Sequence, residues 1–193
     1  MGKIQEAYGD IVAGLLARYP QKKSAILPLM HLAQQVYGYM SQEAMEEVAG
    51  ILDLHPTHVL SLAGFYTLYY EEPVGKYVLE VCNDLACALR GADEFVEMVS
   101  RKLGIAVDET TADGLFTLKT VMCLAACDRA PMLQCNLKYV ENMDEEKFDA
   151  LVARLREQAQ TDGEGPAVVE RIMSFARQGD ETPGAGTAME TTG

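Results

Sequence analysis

At 193 residues and 49% hydrophobic content, the chain can bury one good core or two small packed units. Its formal net charge of −13 argues against nucleic acid as a partner, because phosphate recognition relies on clustered Lys and Arg. No apolar run approaches the roughly 20 residues that span a bilayer. The stretch from Met1 to Asp10 lacks the apolar core of a signal peptide and the acid-poor, Arg-rich character of a transit peptide, so a cytoplasmic location is expected.

The first part of the chain, 1–72, reads as a helical bundle. Ile4, Ala7, Tyr8, Ile11, Val12, Leu15 and Leu16 recur at the three-and-four spacing of one helical face. A second helix is expected from an N-cap near Ser24 to about Tyr37. It turns Ile26, Leu27, Met30, Ala33, Val36 and Tyr37 inward and tolerates Pro28 in its first turn. Gly38 marks its exit. Ser41 is the expected N-cap of a third helix that buries Met45, Val48, Ala49 and Leu52, with Glu43, Glu46 and Glu47 near its positive end. Pro56 opens a fourth, carrying Val59, Leu60 and Leu62.

Residues 73–158 alternate strand and helix. Strands are expected at 76–81 and 115–121, with a helix near 91–103 between them that turns Phe95, Val96 and Val99 inward. Asp113-Gly114 precedes the second strand. Two short strands follow, Pro131 to Cys135 and Leu137 to Val140, with Asn136 in a tight turn that makes them a hairpin. Asp144 is placed to cap a last helix that buries Phe148, Leu151, Val152 and Leu155. The order β-α-β-β-β-α resembles a thioredoxin-like half sandwich, without the Cys-x-x-Cys of dithiol exchange. The remainder, 159–193, is rich in Gly, Thr, Glu and Pro and is expected to be a disordered acidic tail. Its one apolar cluster, Val168, Val169, Ile172, Met173, Phe175 and Ala176, suits a transient amphipathic turn.

Four of the five cysteines form two close pairs, Cys82-x4-Cys87 and Cys123-x3-Cys127, each just past an apolar strand-like run. An odd cysteine count with no sign of export favours metal binding over a disulfide framework. Pairs at neighbouring strand ends supply four thiolates at one point. This suits a [2Fe–2S] cluster with one pair per iron, or a single tetrahedral zinc. Cys135, inside an apolar strand without a paired thiol, reads as a buried core residue. His55 and His58 flank Pro56 at a helix start and read as surface or capping residues, and His31 as a packing or surface residue. Gly184-Ala185-Gly186 follows no strand and opens no helix, so it lacks the context of a dinucleotide loop. Four metal thiolates with no substrate or flavin motif describe an electron carrier serving a catalytic partner.

The segments Phe65-Tyr66-Thr67-Leu68-Tyr69, Pro73-Val74-Gly75-Lys76-Tyr77, Val81-Cys82 with Cys87 and Leu89-Arg90-Gly91, and Cys123-Leu124-Ala125-Ala126-Cys127-Asp128-Arg129-Ala130-Pro131 occur in this order. Together they resemble the small [2Fe–2S] subunit of respiratory NADH:quinone oxidoreductase, complex I, over about 5–158. The resemblance implies an α+β chain, with a helical bundle followed by a thioredoxin-like [2Fe–2S] ferredoxin domain and cluster ligands Cys82, Cys87, Cys123 and Cys127. It implies a subunit of an oxidoreductase that is not catalytic alone. Its partner would be the flavoprotein subunit that holds FMN, the NADH site and a [4Fe–4S] cluster, alongside other peripheral-arm subunits. The assembly would lie on the cytoplasmic side of a bacterial inner membrane, with no insertion of this chain. The same module serves NAD-linked hydrogenases and formate dehydrogenases, and a zinc-stabilised scaffold without redox activity is the alternative of another class.

The chain departs from the family pattern at Asn83-Asp84-Leu85-Ala86 in the first loop, at Gly64, at Cys135, and at Ala125, where the second loop usually has Gly. Asp84 and Asp128 are expected to lower the cluster's potential by disfavouring added negative charge, and Arg90 and Arg129 to raise it.

Overall fold

The three-and-four spacing of apolar residues folds the first part of the chain into α1 (Lys3–Ala17), α2 (Ile26–Tyr37), α3 (Gln42–Leu52) and α4 (Pro56–Ala63). The computed structural model describes residues 2–161, which divide into two units between Tyr69 and Tyr70.

In the first unit the helices share one core in which Ile4, Leu15, Leu29, Met30, Leu32, Val48 and Val59 are buried. Ser41 caps α3 as expected, its hydroxyl accepting from the Ala44 amide at 3.2 Å. Gly38 ends α2 in the left-handed region at φ 82°, where a side chain would be strained. His55 caps α4 just ahead of Pro56, its Nδ1 accepting from the Thr57 amide at 3.4 Å. Ser24 does not cap α2. Lys22–Ala25 already form a 3₁₀ turn that runs into the helix, so Ala25 holds the capping position without a side-chain bond.

Two residues assigned to helical faces differ. Ala7 is exposed, because the backbone of α1 leaves helical geometry at Tyr8 (φ −139°, ψ 29°) and rotates the face. Leu60 points outward, while Val59 and Ala63 make the buried side of α4. The N-terminus of α1 is satisfied from a distance. Glu47 of α3 accepts from the amides of Ile4 at 2.9 Å and Gln5 at 3.3 Å, and its other oxygen accepts from the Tyr37 hydroxyl at 2.7 Å. His31 packs its ring against Tyr69, with centroids 4.9 Å apart.

The second unit is a mixed four-stranded sheet: β1 (Tyr77–Cys82), β2 (Phe116–Val121), β3 (Leu133–Cys135) and β4 (Lys138–Val140), in the order β2-β1-β3-β4. β1 and β2 run parallel, and β3 pairs antiparallel with both β1 and β4. Parallel neighbours need a crossover connection, which α6 (Ala92–Leu103) supplies after a single turn of helix, α5 (Leu85–Ala88). The last helix among the described residues, α7 (Glu145–Thr161), starts after Asp144, whose carboxylate accepts from the Lys147 amide at 2.8 Å. It runs past the expected end at 158, to Thr161. The expected tail beyond it, with the Val168–Ala176 cluster and Gly184-Ala185-Gly186, lies outside the described residues.

Alternation along the strands sends Leu79, Val81, Phe116, Leu118 and Leu133 into one core with Phe95 and Val99 of α6 and Phe148 and Leu151 of α7. Phe95 meets Phe148 edge to face at 6.1 Å, and burying each such ring contributes about 1.5–3 kcal/mol. Asn136 and Leu137, at φ 45° and 64°, form the two-residue turn of the β3–β4 hairpin. The Asn136 side chain also accepts from the Val78 amide and donates to the Lys76 carbonyl, both at 2.8 Å, so one residue sets the turn and docks it on β1. Gly75 approaches β2 closely: a Cβ there would lie 3.0 Å from the backbone of Leu115 and Phe116.

Candidate metal centre

Parallel pairing in the register Cys82↔Val121 brings two loops to one end of the sheet. The first begins at Cys82, the last residue of β1, and the second at Met122, directly after β2. The entry to β3 returns to the same end, where the Cys82 amide donates to the Met132 carbonyl at 3.2 Å. Loops at the carboxyl ends of parallel strands are the usual place for a site in such sheets.

Cys82 and Cys87 are buried beneath this end with Ala92, Ala130 and Met132, while Cys123 and Cys127 are exposed above it. Cys87 sits in α5, the single helical turn that follows β1, and Cys127 opens a short 3₁₀ turn through Arg129. The Cys82 thiol donates to the Met122 carbonyl at 3.1 Å. Burial pushes the Cys87 thiol up to about 12, helped by its hydrogen bond with Cys82 and by the sulfurs of Cys127 and Cys123. Desolvation also raises Cys127, followed by the charge and hydrogen bond of Cys123 and the charge of Cys82. The bond from Cys82 to the Met122 carbonyl sets the residue before Cys123 beside the first pair, so the two cysteine loops meet at this end of the sheet. Among the described residues, no group of three or more Cys, His, Asp and Glu closes on a point where one metal ion could sit. Two cysteine pairs on adjacent loops are a donor set that fits a binuclear cluster with one pair per iron, as it does one tetrahedral zinc about 2.3 Å from four sulfurs.

The second loop is held from several sides. Tyr139 of β4 donates its hydroxyl to the Leu124 carbonyl at 2.7 Å, and the amides of Asn142 and Met143 bond the carbonyls of Arg129 and Pro131 at 2.8 and 2.7 Å. The Ala125 amide donates to the Cys123 sulfur at 3.4 Å, and Ala125 itself stands at φ 60°, the left-handed region that favours glycine. The Ala130–Pro131 peptide bond is cis.

The four charges expected to tune the site are arranged unequally. Arg129 is paired with Glu141 at 2.7 Å and Asp128 at 3.5 Å, so its charge is locally offset. Arg90 instead directs its Nε to the Ala130 carbonyl at 3.0 Å, and no ion pair among the described residues includes it. Asp84 holds the N-cap position of α5 without a side-chain bond.

Cys135 stands apart from the two cysteine loops. It pairs with Leu79, three residues back along β1 from Cys82 and so about 10 Å away, and is buried in the sheet–helix core. Sequence reasoning missed Tyr139: a lone aromatic on a short edge strand carries no periodicity that would single it out. It also missed the exposed apolar side chains around the loops, Leu85, Leu89 and Met122.

Residues 12–156 match the family described as thioredoxin-like [2Fe–2S] ferredoxin. The chain is 42% identical over 140 residues to an NADH-quinone oxidoreductase subunit of Rhizobium meliloti, covering 72% of this chain and 83% of that protein. It is 40% identical over 150 residues to an NADH-quinone oxidoreductase subunit of Thermus thermophilus, covering 76% and 83%. Among solved structures it is similar to a chain of an NAD+-reducing [NiFe]-hydrogenase in the air-oxidised state, with a TM-score of 0.61 and 20% identity. That alignment covers 69% of this chain and 23% of the hydrogenase chain, and the likeness is one of fold. No helix among the described residues is long and apolar enough to cross a membrane.

Proposed function

The chain belongs to the thioredoxin-like [2Fe–2S] ferredoxin family, and on that footing we propose that it is the electron-transfer subunit of an NADH:quinone oxidoreductase. In this reading Cys82 and Cys87 hold one iron of a [2Fe–2S] cluster, and Cys123 and Cys127 the other. The partner is a flavoprotein subunit that carries FMN and the NADH site. The pair belongs to a peripheral arm on the cytoplasmic side of the membrane, where this chain takes part in the oxidoreductase without being catalytic alone. The helical bundle 1–72 and the domain 73–158 are its two functional parts.

The observation that carries the reading is the two cysteine loops that follow adjacent parallel strands and are joined by the bond from the Cys82 thiol to the Met122 carbonyl. Relatives of this length at about 40% identity, named as subunits of NADH-quinone oxidoreductase, support the setting. A bound [2Fe–2S] cluster supplies a one-electron couple, the complement of a flavin that receives electrons from NADH two at a time. The chain's own residues do the rest. The thiols give up their protons to bind iron. The buried pair excludes water from the inner side, and the Ala125 amide donates to the Cys123 sulfur, a bond that favours the more negative, reduced state.

The test is purification of the tagged chain from its native host with its partners attached. Co-purification of an FMN-containing subunit, with bleaching of the visible bands by NADH only when that subunit is present, is the expected result. A cluster reduced by dithionite but never by NADH with the flavoprotein contradicts the reading. So does a hydrogenase or formate dehydrogenase catalytic subunit in place of membrane-arm subunits.

A further inference from the structure

The two cysteine loops need a connection that survives metal binding. The Cys82 thiol bonds the Met122 carbonyl across the loops at 3.1 Å, but that bond uses the thiol proton, which leaves when the sulfur takes iron. Between backbones, the Asn83 amide donates to the Val121 carbonyl at 3.2 Å, which fixes the base of the loops and not their outer ends. Arg90 is placed differently. Its amide donates to the carbonyl of Cys87 at 3.0 Å, so its backbone is tied to a cysteine of the first pair. Its Nε reaches the carbonyl of Ala130, also at 3.0 Å, three residues past Cys127. Ala130 is buried in one cluster with Cys82 and Cys87, so the arginine ties the turn that holds Cys87 to the end of the second loop.

We propose that Arg90 is a positioning residue for the cluster: it fixes the separation of the two thiol pairs and places beside them a positive charge that no ion pair among the described residues offsets. The inference rests on the proposed assignment of the four ligands. The guanidinium bond to Ala130 uses no proton that iron displaces, so it persists in the loaded protein. Reduction adds one negative charge to the cluster, and a fixed cation nearby favours that state. Arg129, offset by Glu141 and Asp128, contributes less of this effect. Lys in place of Arg90 keeps the charge but lacks the rigid planar fork that holds one bond in one geometry.

The test uses the full chain carrying its cluster, as wild type, Arg90→Gln and Arg90→Lys. It reads the midpoint potential, the reduced-state EPR spectrum and the rate of iron loss to a chelator, with far-UV circular dichroism as the check on fold. Arg90→Gln is expected to lower the reduced-to-oxidised ratio at fixed potential about tenfold, 59 mV for a one-electron couple, and to release iron several-fold faster. Arg90→Lys is expected to keep the midpoint and still release iron faster. Either readout unchanged in Arg90→Gln overturns the proposal, and wild-type retention in Arg90→Lys assigns the whole effect to charge and overturns the positioning role. Should Arg90→Gln fail to fold, Arg90→Lys decides by iron loss alone. A wild type without a [2Fe–2S] centre sinks the ligand assignment and this inference together, whereas a normal wild type with unaltered variants sinks only the inference.

Discussion

The hydroxyl of Tyr139 donates to the carbonyl oxygen of Leu124 at 2.7 Å, tying the outermost strand of the sheet to the residue that follows Cys123. This bond is formed by a side chain half open to solvent, so its net contribution is about 0.5–1 kcal/mol. Tyr139→Phe is expected to keep the fold and the cluster but to release iron to a chelator up to about fivefold faster, the equivalent of 1 kcal/mol. An unchanged release rate would mean that the loop holds its shape without the strand.

Ala125 pays a steric cost for its left-handed conformation, φ 60°. Such a conformation costs an L-residue roughly 1–2 kcal/mol, while the greater freedom of glycine in the unfolded chain offsets about 0.5–1 kcal/mol of the relief. Ala125→Gly is therefore expected to stabilise the holoprotein by up to about 1 kcal/mol, read as a higher urea midpoint with an unchanged slope. A lower midpoint would show that the surrounding bonds already absorb the strain.

Asp144 caps α7, and its carboxyl is held below the ordinary value of 3.8, first by the Lys147 amide. The charged form is favoured in the folded chain, so its contribution is present above pH 3.8 and is lost as pH falls through the lower folded value. Asp144→Ala is expected to melt at a lower temperature than wild type. The gap should stay constant from about pH 7 to pH 5, because both states keep the carboxylate charged across that window. A gap that varies there would mean that another group is titrating with it.

Cys123 and Cys135 separate the ligand assignment from simple thiol content. Cys123→Ala is expected to leave a chain unable to retain a normal [2Fe–2S] centre, read as loss of the reduced-state EPR signal. Cys135→Ala removes a small buried side chain from the sheet–helix core and should keep the signal while lowering stability by about 1 kcal/mol. Loss of colour in the second variant would place a ligand in the core strand.

Much of this architecture is written locally. Ser41 and Asp144 mark helix starts through bonds within three residues, Pro56 marks one through its fixed φ, Asn136 marks the hairpin turn, and the cysteine spacings mark two loops. The errors are also local in origin. Ser24 has the chemistry of a cap, but the preceding residues already coil into a 3₁₀ turn, and Leu60 has the hydropathy of a core residue on the outer side of α4. What the sequence could not reveal is held over long separations. Glu47 satisfies the start of α1 from 43 residues away, Arg90 reaches Ala130 over 40, and Tyr139 reaches Leu124 over 15. Such bonds depend on where the fold brings side chains, and no period or spacing encodes them. Glu80 is the clearest case. An acidic residue in a strand reads as solvent-facing, yet it is buried, its pKa raised by desolvation, while Lys119 on the neighbouring strand and the hydrogen bond from Tyr70 oppose the shift.

The most direct test of the central claim is a visible spectrum of the anaerobically purified protein, with iron, sulfide and zinc assayed on the same sample. The account predicts about two iron and two sulfide per chain, the composition of the cluster itself, with absorption that bleaches on adding dithionite. A colourless protein holding zinc and no iron, even after attempted cluster reconstitution, would contradict it and leave a zinc-stabilised scaffold in place of an electron carrier.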